Sequence, residues 1–445
     1  MICRIKVNGL FGLFDYDIMF PQSPSVKILT GPNGYGKTTL LKIIDHLYSG
    51  EFWYFHFLDF REISITLLHD IKPVSIIIKK RFQKSEVIFL KDAKDDAVLD
   101  DTDNVFYEEV LILLDETGSV IEEFIVTESY IQTLLIDVRR KSYIDANTMS
   151  DEELLSLFYS SEYDYYKIKN CRNISLALQE YTAKYQPAQR IFNRDKFKSS
   201  RSVRPLRSYT YEIDYVNSEI SRLYRKAQNE FASTSQRIDA TYINRLIRRN
   251  QSYRKEDLKR LLDNLKKRIS AFKQMNLFSN MELLDYSMED DNTYSEFDKV
   301  LSQYIDDMND KMDRFDVLYK KISLFKNIIV DKVLSEKSIN FSDKGLTVIN
   351  TNGKELTDLH KLSSGEQNLL ILYYNLIFNT NSRTILLIDE PENSLHVAWQ
   401  AKMLDDYISI AENTGCQVVL ATHSPTFING RWEILTDLYK QFNDK

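Results

Sequence analysis

The sequence predicts an α/β protein: a mixed sheet built on a phosphate-binding glycine loop, with an antiparallel β lobe beside it and a compact helical insertion. Three observations carry this reading. An apolar strand, VKILT at 26–30, runs into GPNGYGKT at Gly31–Thr38 and then into a stretch of helical periodicity. Alternating or β-rich runs fill 63–126. From about 131 to 335 the patterns are long, polar and helical, and glycine is absent from 120 to 344.

The elements follow in order. ICRIKVNGLFGLFDYDIMF reads as two short strands around a glycine turn, and KTTLLKIIDHLYSG as a helix that stops at Gly50. ISITLL, VSIIIKKRF, SEVIFL, EEVLILLDE and VIEEFIV are strands separated by Asp, Gly and Pro punctuation. EISRLYRKAQNEFA, KEDLKRLLDNLKKRISAFKQM and KVLSQYIDDMNDKMDRFDVLYKKISLF are helices, and in the last the apolar positions recur at three and four, so these helices should pack on one another. None holds a heptad long enough for an extended coiled-coil arm. After Gly345 come a strand (LTVIN), a TNGK turn, a helix starting at LSSGEQ, a buried strand TILLIDE at 384–390, a helix over roughly 395–411, a strand at QVVLATH and a short tail. The domain reading is 1–195 and 336–445 as the two halves of one head, with 196–335 as the helical insertion.

A chain of 445 residues exceeds what one core usually supports, which suits a head with a large insertion. With 43% hydrophobic and 28% charged residues it has an ordinary globular composition. No uncharged apolar run of about 18 residues suggests a membrane span, and MICRIK lacks the apolar core of a signal peptide, so a cytoplasmic protein with no membrane partner is expected. Cys3, Cys171 and Cys416 are far apart and form no CxxC pair, so neither a disulfide framework nor a zinc site is expected.

GPNGYGKT fits G-x-x-x-x-G-K-[ST] between a strand and a helix. Glycines let successive N–H groups point at phosphate oxygens, and the helix N-terminus adds positive potential. Lys37 reaches the outer phosphates and the Thr38 hydroxyl can ligate Mg²⁺. Gly31, Asn33, Gly34, Gly36, Lys37, Thr38 and Thr39 are the expected nucleotide contacts. ILLIDEPE at 385–392 ends a buried strand in two acids: Asp389 suits Mg²⁺, and Glu390 suits polarising an attacking water. His423, in LATHSP, ends a second apolar strand, where it could contact a γ-phosphate.

The set GPNGYGKT, LSSGEQ, ILLIDEPE, SLH (394–396) and ATHSP resembles the Walker A, signature, Walker B, D-loop and His-switch motifs of the ABC ATPase superfamily, in matching order. The resemblance implies ATP and Mg as cofactors and catalytic roles for Glu390 and His423. It also implies two heads joined head to tail, so that Ser363, Ser364, Gly365 and Glu366 of each cap the ATP held by the other. A homodimer or higher homo-oligomer through the heads follows. The signature departs from LSGGQ at Ser364 and Glu366, which adds a side chain near the γ-phosphate. A Q-loop glutamine completing the Mg²⁺ shell is expected in TAKYQPAQRIF, at Gln189 rather than Gln186. Phe11 or Phe14 is a candidate for the neighbourhood of adenine.

The long gap between Walker A and signature is similar to SMC-like and RecF-like heads. DEPENSLHVAWQ, ATHSPTFINGRW and the compact insertion look similar to the SMC-like ATPases of bacterial anti-phage systems, AriA of PARIS first and PtuA of Septu next. That resemblance implies a sensor and regulatory scaffold acting on a separate nuclease effector, TOPRIM type if PARIS-like and HNH type if Septu-like. With 22 residues after His423, no room for a C-terminal TOPRIM domain is expected. The trigger would be phage DNA or an acidic phage protein. A RecF-like repair or recombination ATPase acting directly on DNA is the alternative.

Two basic groups bear on that choice. Residues 190–207 carry Arg190, Arg194, Lys196, Lys198, Arg201, Arg204 and Arg207 against Asp195 alone, and 245–268 carry ten positive charges against three acids. Such charge either binds nucleic acid or an acidic protein, or faces solvent and pairs with the acidic stretch at 282–316.

Overall fold

A computed structural model describes residues 1–69, 72–84, 105–127, 131, 172–186, 212–277, 297–332, 337–350, 352–356, 358–393 and 397–443. The chain forms two compact units, Met1–Arg204 with Thr380–Lys445, and Pro205–Asn379.

The first unit is organised by two sheets. Strands β1 (Ile2–Leu10), β2 (Phe14–Met19), β4 (Glu62–His69), β5 (Lys72–Lys84), β6 (Val105–Leu114) and β7 (Val120–Val126) form an antiparallel sheet in the order β2-β1-β4-β5-β6-β7. Strands β3 (Val26–Thr30), β8 (Thr182–Gln186), β12 (Thr384–Asp389), β13 (Gln417–Ala421) and β14 (Leu435–Asp437) form a parallel one, ordered β14-β3-β13-β12-β8. The α/β class, the parallel sheet on the glycine loop and the antiparallel lobe are as the sequence predicts. β12 and β13 are buried at every position, which is why they read as unbroken apolar runs.

Helix α1 (Lys37–Ser49) places Leu40, Leu41, Ile43, Ile44 and Leu47 into one core with Leu29, Ile385, Leu387 and Val419 of the parallel strands and Ile5, Val7, Ile63 and Ile76 of the antiparallel ones. Each such side chain contributes about 1.5–3 kcal/mol by leaving water. α1 ends where the sequence places its stop. Gly50 takes φ 68°, its N–H donates to the Leu47 carbonyl, and that of Glu51 donates to the His46 carbonyl. The two sheets are also tied by a buried amide. Gln417 accepts from the Ile2 N–H at 2.9 Å and donates to the Ile2 carbonyl at 2.8 Å, so both polar ends are satisfied. Trp53–Phe57 adds a short helix, α2, and Arg172–Gln179 another, α3.

Three elements differ from the sequence reading. β8 lies inside the stretch expected to be helical; its TAKYQ sits at a sheet edge with every residue at least partly accessible, so no apolar run announces it. The tail is not merely a tail, because β14 extends the parallel sheet beside β3. β9 (Lys337–Ser342) precedes the expected strand β10 (Gly345–Asn350) and pairs with it, while the two-residue β11 (Glu355–Leu356) pairs on its other side. The expected strand at 85–90 lies outside the described residues.

The second unit is built on three long helices, α4 (Glu212–Arg248), α5 (Lys255–Gln274) and α6 (Asp298–Lys332). α5 buries Leu258, Leu262, Leu265, Ile269 and Phe272, alternating steps of four and three. α6 does the same with Ile305, Met308, Met312 and Phe315. Phe315 stacks on Phe231 at 5.1 Å and meets the edge of Phe272 at 6.0 Å, joining all three helices.

Gly345, the first residue of β10, has φ 103°, and a Cβ there would stand 2.9 Å from the Asn217 carbonyl oxygen and closer still to its side chain, which accepts the Leu346 N–H at 2.7 Å. Gly345→Ala is therefore expected to destabilise this unit by about 2 kcal/mol or more, read as a lower denaturant midpoint.

Candidate functional site

The chemistry-bearing groups of the first unit converge at the C-terminal edge of the parallel sheet, where ligands sit in such sheets. β3 ends at Thr30 and the loop turns through Gly34 and Gly36 into α1. At Gly36, φ is 79° and a Cβ would lie 2.9 Å from Leu10 Cδ2, so only glycine fits. The loop is supported from below. The buried Tyr16 hydroxyl donates to the Tyr35 carbonyl at 2.8 Å, and the Tyr35 ring packs against Phe14, Tyr439 and Phe442. Phe14 is thus part of the loop's support, whereas Phe11 is exposed and in a left-handed conformation.

Lys37, only 5% exposed, donates to the carbonyls of Gly31 at 2.8 Å and Pro32 at 3.0 Å, with its Nζ 3.4 Å from His423 Nδ1. Burial lowers its pKa, and the acids Glu390, Asp389 and Glu392 work against that shift. Beside it the Thr38 hydroxyl donates to Asp389 Oδ2 at 2.8 Å, and Tyr185 of β8 donates to the same oxygen at 3.3 Å. Asp389 Oδ1 is buried and has no donor among the described residues. Burial raises the Asp389 pKa; the Thr38 and Tyr185 bonds oppose this and the neighbouring Glu390 charge adds to it. A buried carboxylate oxygen without a donor, next to a threonine hydroxyl, is a donor set that fits a hard divalent cation.

Glu390 follows β12 directly and takes φ 46°, a left-handed conformation costing about 1 kcal/mol for a residue with a side chain. It is held by its N–H to the Ala421 carbonyl at 2.8 Å and by Asn393 Nδ2, which donates to Oε2 at 2.5 Å. The other oxygen, Oε1, lies 3.9 Å from His423 Nε2. His423 therefore stands between Lys37 and Glu390. Glu392 accepts from the Thr422 hydroxyl at 2.6 Å and from the His423 N–H at 3.1 Å. Tyr185, Glu392 and Asn393 were not among the residues singled out from sequence; DEPEN contains two of them but gives no sign of their partners.

Asn33 is exposed in the loop and Thr39 lies in the first turn of α1. Gln186 closes β8 opposite Ile388, while Gln189 and the SLH stretch at 394–396 lie outside the described residues. The LSSGEQ residues belong to the second unit, at the start of α7 (Ser364–Phe378). Ser363 and Glu366 form a capping box: Ser363 Oγ accepts the Glu366 N–H, and Glu366 Oε2 accepts from the Ser363 N–H at 2.8 Å and hydroxyl at 2.9 Å. Lys337 of β9 donates to Glu366 Oε1 at 2.7 Å. Burial alone would raise the Glu366 pKa, but Lys337 and Ser363 outweigh it and hold the carboxyl below its ordinary range. Ser364 and Gly365 follow in the first turn, and the space around Gly365 is open.

Of the two basic groups, 190–207 lies outside the described residues. In the other, Arg245 pairs with Asp307, Arg249 with Asp306 at 2.8 Å, and Arg268 with Asp313 at 2.7 Å and Asp316 at 2.8 Å, all within the helical unit. The acids of α6 thus neutralise part of the basic run. No helix among the described residues is long and apolar enough to cross a membrane.

The sequence family described as AAA ATPase domain, AAA_15, matches residues 1–428. No curated protein matches the chain. Solved structures with similarity to it include the Smc head domain with an extended coiled coil bound to the C-terminal domain of ScpA, from Pyrococcus furiosus (13% identity, 96% of this chain and 90% of that one, TM-score 0.34). Others are an Smc head bound to the C-winged helix domain of ScpA (12%, 96% and 90%, 0.32) and the SMC head domain from Thermotoga maritima (9%, 96% and 90%, 0.31).

Proposed function

The chain belongs to the AAA ATPase domain family, and from that premise we propose that it is an SMC-like, ABC-type ATPase whose ATP-dependent association switches a separate effector. The observation that carries the reading is the convergence of Lys37, Thr38, Asp389, Glu390 and His423 at one sheet edge. Lys37 leaves the Gly31 and Pro32 carbonyls to bind the outer phosphate oxygens. Thr38 and Asp389 would hold Mg²⁺, with Gln189 completing the shell; when bound, the ion neutralises charge developing on the phosphates. Glu390, oriented by Asn393, takes a proton from the attacking water, and His423 contacts the γ-phosphate. Ser363, Ser364 and Gly365 from a second copy close the site, so that two sites form in a head-to-tail dimer or a larger homo-oligomer.

Asp389→Asn separates stability from activity. Because burial raises the Asp389 pKa, ionising it costs the folded state; the cost builds as pH rises from the ordinary carboxylate range to the raised value and is complete above it. The Asn variant is expected to melt higher than wild type at neutral pH, with the gap closing in acid, while its Mg-dependent ATP turnover falls by about 10²-fold or more. Calorimetry across pH and a phosphate-release assay check both halves.

The biological reading is a cytoplasmic anti-phage sensor of the PARIS or Septu kind, which restrains or activates a nuclease of TOPRIM or HNH type on meeting phage DNA or an acidic phage protein. It is supported by the LSSGEQ, DEPENSLH and ATHSP motifs and by the helical unit. The ion pairing of Arg245, Arg249 and Arg268 leaves less of the 245–268 charge for any polyanion, phage DNA included, so the choice between this reading and the RecF-like alternative rests on the partner. Pull-down of tagged Glu390→Gln protein from its native host, with mass spectrometry and sizing, tests this. A stoichiometric nuclease supports the defence reading; recovery of DNA alone, with no protein partner, favours repair.

A further inference from the structure

Glu392 has no part in the steps above, yet its carboxylate joins the two segments that leave β12 and β13. Oε1 accepts from the Thr422 hydroxyl at 2.6 Å and from the His423 N–H at 3.1 Å. Thr422 is fully buried, and its oxygen already accepts the Ser424 N–H at 3.0 Å, so its proton is directed to Glu392. Bonds to an ionised carboxylate are the strong kind. They also act where the sheet has run out: the Thr422 N–H still bonds the Leu29 carbonyl at 3.0 Å, but the N–H of the next residue bonds, among the described residues, this side chain alone. His423 is the residue whose ring must stand between Lys37 Nζ, at 3.4 Å, and Glu390 Oε1, at 3.9 Å.

We infer that Glu392 is a positioning residue for ATP hydrolysis: it fixes the backbone of His423, and through it the spacing of His423, Lys37 and Glu390. The inference rests on the hydrolysis reading above. Without the carboxylate, the turn carrying His423 keeps its sheet anchor but loses the bond that sets the imidazole's height over the site. A displacement near 1 Å is enough to slow a reaction by about 10²-fold. Glu392 also contributes negative charge that favours protonated Lys37, so two roles, acceptor and charge, have to be separated. Glu392→Gln does this, because the amide oxygen can still accept from Thr422 and His423 while the charge is gone.

The test compares full-length Glu392→Ala, Glu392→Gln and Thr422→Val with wild type, measuring kcat, the Kd for ATP and Tm, with Glu390→Gln as reference. Positioning predicts that Glu392→Ala lowers kcat by about 10- to 100-fold with the ATP Kd within about threefold of wild type. Glu392→Gln recovers most of the lost kcat. Thr422→Val, nearly isosteric, falls between, and keeps the inference testable should the Ala variant fail to fold. A Gln variant as slow as Ala would assign the effect to charge and overturn the inference. So would unchanged turnover in both Glu392→Ala and Thr422→Val, or a loss of ATP affinity as large as the loss of kcat. A wild-type protein no faster than Glu390→Gln would bring down the hydrolysis reading itself.

Discussion

Glu390→Gln protein is expected to bind ATP about as tightly as wild type and to turn it over about 10²- to 10⁴-fold more slowly. The amide keeps the shape of the side chain and an oxygen for the Asn393 bond, so the left-handed turn after β12 and its tie to Ala421 should survive. What it loses is a basic oxygen facing His423 and the attacking water. Loss of turnover with retained binding is the signature of an interaction used in the transition state and not in the ground state. Single-turnover phosphate release alongside equilibrium ATP binding gives both quantities, and wild-type turnover by the variant would remove Glu390 from the chemistry.

Lys37→Ala should act earlier, on binding. The ammonium is buried among three acids and two loop carbonyls, poised to exchange the carbonyls for phosphate oxygens. A charged hydrogen bond of this kind is worth about 1.5–3 kcal/mol, so ATP affinity is expected to fall by about 10²-fold. Calorimetric titration with ATP and Mg²⁺ measures it; affinity within about threefold of wild type would contradict the assignment. The two variants thus fail at different steps, one holding ATP without cleaving it and the other not holding it.

What the sequence shows of this architecture follows from how local each signal is. The glycine loop is legible because its turn chemistry, strand before and helix after are contiguous in the chain. β3, β12 and β13 are legible because parallel strands buried on both faces read as apolar runs. β8 is not, because an edge strand with accessible side chains needs no such run. β14, at three residues, is too short to carry a pattern. In the site, Tyr185 reaches Asp389 across 204 positions and Thr422 reaches Glu392 across 30, separations at which no spacing rule operates. The basic run at 245–268 is ambiguous in the sequence for the same reason. Its acids lie on α6, with Arg245 and Arg249 finding partners 62 and 57 residues away. These pairs are only partly exposed, and the Asp307 carboxylate is buried, so they decide what charge remains for a ligand.

In the proposed dimer, a site containing Lys37, Asp389, Glu390 and His423 is completed by the LSSGEQ segment of another copy. Sedimentation velocity of Glu390→Gln protein, with and without ATP and Mg²⁺, tests it most directly, with Glu390→Gln/Ser363→Arg as the comparison. ATP is expected to shift the first protein to a dimer or larger species, and Ser363→Arg to abolish the shift while ATP binding persists. An unchanged mass on adding ATP, or association indifferent to Ser363→Arg, would contradict it.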